Sequence, residues 1–144
     1  MKLYLLGLIL VVLEKTVLFK YFPLDITVIA VILMALREDL KKGLQFSLFV
    51  GVLQSIFTLS PLFLFEKIIL SLTANLLKKH FFGNVFLLKV AVVLALSLID
   101  VLFWQLVYLY HYQKLDFSWS YLIFLLFNLV VFSIVYVFDR KFQL

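Results

Sequence analysis

Apolar residues fill this chain in six long stretches, at about 3–19, 24–36, 43–59, 62–77, 85–110 and 119–138, separated by short charged clusters and turn residues. A bilayer core about 30 Å thick takes about 20 helical residues to cross, so six crossings would use about 120 positions. The expectation is an all-α integral membrane protein in which residues 1–144 form a single domain, a compact bundle of six transmembrane helices.

The breaks between stretches are specific. Glu14 and Lys15 sit towards the far end of the first helix, and Pro23 stops it or starts the next. Asp25 stands at the entrance of the second helix, with Arg37, Glu38, Asp39, Lys41 and Lys42 at its exit. Ser60-Pro61 bounds the third, and Glu66-Lys67 opens the fourth. Gly83-Asn84 reads as a turn, and the loop from His111 to Ser118 is the most polar stretch. Met1 to Leu13 has the charge and apolar run of a signal peptide but no small-x-small cleavage site. It is read as a retained first helix.

Composition agrees with this picture. Hydrophobic residues make up 66% of the chain and charged residues 15%, and the mean hydropathy is +1.18. An ordinary globular domain has about 45–50% and about 25%. The net charge of +5 reports membrane topology here, since no basic run is interleaved with exposed aromatics as a nucleic-acid face would require. Lys2, Arg37, Lys41, Lys42, Lys78, Lys79, Arg140 and Lys141 fall on the side that holds both termini, against Lys15, Lys20, Lys67 and Lys114 opposite. Cytoplasmic loops are enriched in Lys and Arg, so both termini are expected in the cytoplasm. Without cysteine, a thiolate metal site, a disulfide and a cysteine nucleophile are excluded. His80 and His111 lie at opposite predicted faces, and no HExxH, GxSxG or glycine-rich phosphate loop occurs. No enzymatic activity and no cofactor are expected.

Three patterns remain as candidates for function. Gly43, Ser47, Gly51 and Ser55 recur every four residues and lay a ribbon of small side chains along one face of the third helix; Ala91 and Ala95 repeat the spacing in the fifth. In lipid, helices associate over such small residues, either within the bundle or with a partner's membrane helix. Asp100 lies near the middle of the fifth helix, where a carboxylate costs at least about 2.5 kcal/mol unless it faces protein or water. Gln54, Asn75 and Asn128, also in apolar helices, are its expected hydrogen-bonding company in a polar seam, with proton or ion coupling through Asp100 as the alternative. Finally, Tyr108, Tyr110, Tyr112, Phe117, Trp119 and Tyr121 flank the fifth loop as an interfacial belt would.

The stretch from Pro23 to Leu77 resembles the MreD family of bacterial rod-shape proteins. Pro23-Leu24-Asp25 resembles its entry to an apolar helix, and Ala35-Leu36-Arg37 matches its Ala-Leu-Arg exit, followed by Gly43. Gly51-Val52-Leu53-Gln54 approaches its Gly-Leu-Leu-Gln-Asp signature, and Ser60-Pro61 stands where a Ser-Pro often follows. Ser55 replaces the acidic residue after the Gln, and Phe63 replaces a Gly. The resemblance implies a non-enzymatic scaffold subunit of the cell-elongation machinery in the bacterial cytoplasmic membrane, supporting rod shape and peptidoglycan synthesis. It implies an MreC-like bitopic membrane protein as partner and, through it, MreB-like filaments and the RodA-transpeptidase pair. Arg37, Lys41, Lys42, Lys78 and Lys79 would form the basic cytoplasmic face, towards anionic lipid or filament. The family is also similar in architecture to the substrate-binding subunits of energy-coupling-factor vitamin transporters, which supplies the alternative function.

Overall fold

The computed structural model describes residues 2–18, 25–81, 86–115 and 118–139. They form six α-helices: α1 Lys2–Leu13, continued by a π-helical turn Glu14–Leu18; α2 Ile26–Arg37; α3 Leu40–Thr58; α4 Leu62–Phe81; α5 Phe86–Tyr112; and α6 Trp119–Phe138. Among the described residues there is no strand. Each helix matches one apolar stretch of the sequence, because long runs without alternation can satisfy their backbone groups only within the run.

Local chemistry sets the ends. The Asp25 carboxylate caps α2, accepting from the Thr27 backbone N–H at 3.0 Å. Only Glu38 and Asp39 separate α2 from α3, too few residues for anything but antiparallel neighbours. The αL conformation of Leu59 (φ 54°) closes α3, and Pro61, which has no backbone N–H to lose, immediately precedes α4. The Ser118 hydroxyl caps α6 by accepting from the Ser120 N–H at 3.3 Å.

The short helix α2 is the axis of the molecule and touches every other helix. Thr27, Val28, Ile29, Val31, Ile32, Met34, Ala35 and Leu36 are all buried, the pattern of a helix surrounded on all sides. The apolar core around it takes Val11 from α1, Phe46 and Val50 from α3, Leu70 and Ala74 from α4, Val93 and Leu96 from α5, and Phe124 and Phe132 from α6.

The six helices do not make six membrane crossings, which corrects the transmembrane bundle of the transporter-subunit type expected above. Among the described residues two helices, α5 and α6, are long and apolar enough to cross a membrane. With 12 residues each, α1 and α2 are about 18 Å long, well short of the about 30 Å needed. Both α3 (19 residues) and α4 (20 residues) have the length. However, α3 contains Lys41, Lys42, Gln45 and Gln54, and α4 contains Glu66, Lys67, Lys78 and Lys79. Charges that the linear pattern places between apolar stretches belong to the helices themselves. The two candidate spans also differ from core helices in what they leave outside: only 17% of the apolar stretch of α6 is buried, and Leu122, Leu126, Val130, Ile134 and Val137 are exposed along it.

Candidate functional site

The most concentrated chemistry in the molecule is a buried acid–base cluster where the C-terminal end of α1 meets the start of α2, the end of α3, the start of α4 and the middle of α5. Glu14 enters it from the π-helical turn, a local widening of the helix often found at functional positions. The ammonium of Lys67 is the centre: its Nζ donates to Asp25 Oδ2 and to Glu66 Oε1, both at 2.6 Å. The Lys67 side chain is fully buried, and those of Asp25 and Glu66 are 8% and 1% exposed. Gln54 Nε2 lies within donating distance of Glu14 Oε1 (3.0 Å), Asp25 Oδ1 (3.1 Å) and Thr27 Oγ1 (2.8 Å). The Thr27 hydroxyl donates to Asp25 Oδ1, and Lys15 Nζ pairs with Glu14 Oε1 at 2.9 Å.

Carboxyl also lies against carboxyl in this cluster, Glu14 beside Asp25 and Glu66 beside Asp100. Burial by itself would raise the Asp25 carboxyl; the Lys67 ammonium outweighs it, with help from the Glu14, Lys67 and Thr27 hydrogen bonds, and holds Asp25 below the usual carboxylate range. The cluster also contains acceptors left without a donor: Gln54 Oε1, Glu66 Oε2 and Asp100 Oδ1 are buried and unpartnered. Among the described residues no group of three or more acidic or histidine side chains is arranged to hold a metal ion.

Of the residues singled out in the sequence, the structure brings Asp25, Gln54 and Asp100 into this one cluster. Asp100 is not held by amides, as expected, because each amide is engaged elsewhere. Gln54 serves Glu14, Asp25 and Thr27; Asn75 Nδ2 donates to the Ala35 carbonyl at 3.3 Å; and Asn128 Nδ2 donates to Ser97 Oγ at 2.9 Å. Ser97 lies one turn from Asp100 on α5, so the Asn128 pair prolongs the polar seam towards α6. Ser60 and Pro61 form the α3–α4 turn, with the Ser60 N–H donating to the Ser55 carbonyl at 3.2 Å. Pro23 lies outside the described residues.

The small-residue ribbon of α3 faces inward. A Cβ on Gly43 would meet the Ala35 Cα at 3.2 Å, and one on Gly51 the Leu64 Cα at 2.9 Å. Ser47 is buried and Ser55 is half-buried, so the ribbon packs α3 against α2 and α4 within the chain. Ala91 and Ala95 are exposed on α5.

The opposite end of the molecule carries the basic residues. Arg37 Nη1 pairs with Asp139 Oδ2 at 3.1 Å, Lys42 Nζ with Glu38 Oε2 at 3.3 Å, and Lys78 Nζ donates to the Glu38 carbonyl at 3.0 Å. Lys41 and Lys79 are exposed.

Sequence reasoning missed Glu14, Thr27, Glu66 and Lys67 as members of a site, reading the charged ones as helix ends. A usable signal was present: two Glu-Lys doublets, Glu14-Lys15 and Glu66-Lys67, each with apolar residues continuing on both sides. A charged residue with apolar neighbours in both directions is poorly placed for solvent and needs an internal partner. No family model, no curated protein and no solved structure matches this chain.

Proposed function

We propose that this protein is a non-enzymatic membrane scaffold subunit of the MreD type, a helical body anchored in a bacterial cytoplasmic membrane that binds an MreC-like bitopic partner. The observation that carries this reading is the convergence of Asp25 and Gln54. These two family landmarks lie 29 residues apart in sequence and meet at 3.1 Å in the buried cluster. Their place among the landmarks of the resemblance then has an architectural reason: they lock α2 to α3. Gly43 and Gly51 serve the same end by letting the backbones of α2 and α4 approach α3. Landmark residues committed to internal contacts leave the outer helix faces for recognition.

In this reading α5 and α6 cross the membrane as an antiparallel pair. Tyr110, Tyr112 and Trp119, which are 84%, 63% and 80% exposed, take headgroup depth at the far side. The end carrying Arg37, Lys41, Lys42, Lys78 and Lys79 faces the cytoplasm with both termini, where it meets anionic lipid and, through the assembly, MreB-like filaments and the RodA-transpeptidase pair. The exposed apolar residues Leu5, Leu8, Ile9 and Val12 on α1 offer a membrane helix of the partner a face to pack on.

Affinity purification of the tagged chain from native membranes tests the proposal. An MreC-like protein should co-purify in stoichiometric amount. An ATPase module with a tightly bound vitamin in its place would overturn the scaffold reading in favour of a transporter subunit. A reporter fused after Leu144 should be active in the cytoplasm; periplasmic activity would overturn the orientation.

A further inference from the structure

The acid–base cluster brings together more carboxyls than ammoniums. Four carboxyls meet there, Glu14, Asp25, Glu66 and Asp100, with the two ammoniums of Lys67 and Lys15. Fully ionised, the cluster would hold two uncompensated negative charges. Glu14, Glu66 and Asp100 are at most 2% exposed, and unpaired charge so placed costs several kcal/mol. The geometry offers a remedy twice. An ionised carboxylate only accepts hydrogen bonds, so a hydrogen bond between two carboxyls requires a proton on one of them. The carboxyls stand in two pairs that can each share one proton: Glu14 Oε1 and Asp25 Oδ1 lie 3.0 and 3.1 Å from the same Gln54 Nε2, and Glu66 lies beside Asp100. One proton in each leaves two carboxylates against two ammoniums, and the cluster is neutral.

A second observation points to the same ligand. Glu66 Oε2 and Asp100 Oδ1 are buried without any donor, so neither of these oxygens has a protein hydrogen to satisfy it. The groups that face the pairs are Lys15 from the π-helical turn, Thr27 from α2, Gln54 from α3 and Lys67 from α4. Of these only the two lysines bring positive charge. We propose that the cluster is a proton-binding site that holds two protons in the folded protein, one shared within the Glu14–Asp25 pair and one within the Glu66–Asp100 pair. This is independent of the scaffold reading, since it rests on no partner. Loss of either proton puts a bare charge between packed helices, so occupancy of the site governs how tightly α1, α4 and α5 stay together.

Infrared spectroscopy of the purified protein in lipid nanodiscs at neutral pH tests this directly. The C=O stretch of protonated carboxyls should be present with an intensity equivalent to two groups per chain. Uniform ¹³C labelling of glutamate alone should shift at least half of it, because Lys67 holds Asp25 ionised and leaves the first proton on Glu14. Glu14→Gln and Asp100→Asn should each remove half of the band. The labelling experiment uses the unaltered chain, so it decides even where a variant fails to fold. Absence of the band at neutral pH would overturn the proposal. So would a band that disappears as sodium chloride is added in place of choline chloride, which would assign the orphaned oxygens to a bound monovalent cation.

Discussion

The two ends of this helical bundle use charge in opposite ways. At one end Lys67, Asp25, Glu66 and Glu14 are buried, with side chains at most 8% exposed, and the Lys67–Asp25 and Gln54–Glu14 contacts tie one helix to another. At the other end Arg37 and Lys42 are 42% and 64% exposed, and their partners Glu38 and Asp139 are within reach of solvent. In the first setting removal of one partner strands the others without water; in the second water takes its place. Similar residue types thus act as cross-links at one end and as a solvated surface at the other.

The largest test of that contrast is Lys67→Met. It leaves Asp25 and Glu66 without their counter-ion, a change that costs about 3–5 kcal/mol when a buried pair loses one member. Thermal unfolding in detergent should show a marked fall in midpoint, or little folded protein at all. Adding Asp25→Asn and Glu66→Gln to the same chain should recover most of the loss, because replacing all members of a buried ionic group is often close to neutral. If Lys67→Met alone unfolds no more easily than the unaltered protein, the cluster is not what ties this end together.

A second test compares the glycines nearest each end. Gly51→Ala places a Cβ 2.9 Å from the Leu64 Cα, a backbone atom that cannot step aside, whereas Gly43→Ala meets the Ala35 Cα at 3.2 Å. Overpacking costs typically about 1–3 kcal/mol, and the Gly51 variant should be the more destabilised of the two by the same unfolding measurement. If folded Gly51→Ala still binds the MreC-like partner as before, the α3 ribbon is internal packing. Loss of the partner from a well-folded variant would instead make it part of the binding face.

These contrasts also explain what the linear pattern revealed. All six helices were legible, because an apolar run of 13 to 26 residues has few alternatives to a helix. Their number of crossings was not, since crossing depends on where within a helix the charges fall. Glu66-Lys67 reads in the sequence as the opening of the fourth helix; α4 begins at Leu62 and carries both inward. Gln54 and Asp100 were legible as polar residues in need of partners. Their partners were not, because Glu14, Asp25 and Glu66 come from three other segments, and only the three-dimensional arrangement around α2 assembles them. The spacing of Gly43 and Gly51 gave the packing face, but not whether it looked inward or outward.

The smallest effect on stability should come from the basic end, and that is where its function separates from its structure. Arg37→Ala removes ion pairs with Asp139 at 3.1 Å and Glu38 at 3.7 Å between partly exposed groups; exposed pairs contribute about 0–1 kcal/mol each, so the unfolding midpoint should move little. Replacing Lys41, Lys42 and Lys79 together by Ser should likewise leave it nearly unchanged. Each basic residue near an anionic surface contributes about 1 kcal/mol to membrane attraction, so the triple variant should bind vesicles containing phosphatidylglycerol more weakly than the unaltered chain and show a reduced dependence on salt. Its C-terminal reporter should also lose part of its cytoplasmic preference, because the Lys and Arg excess that sets orientation is smaller. A triple variant that lost stability but kept its vesicle binding would reverse the assignment of the two ends.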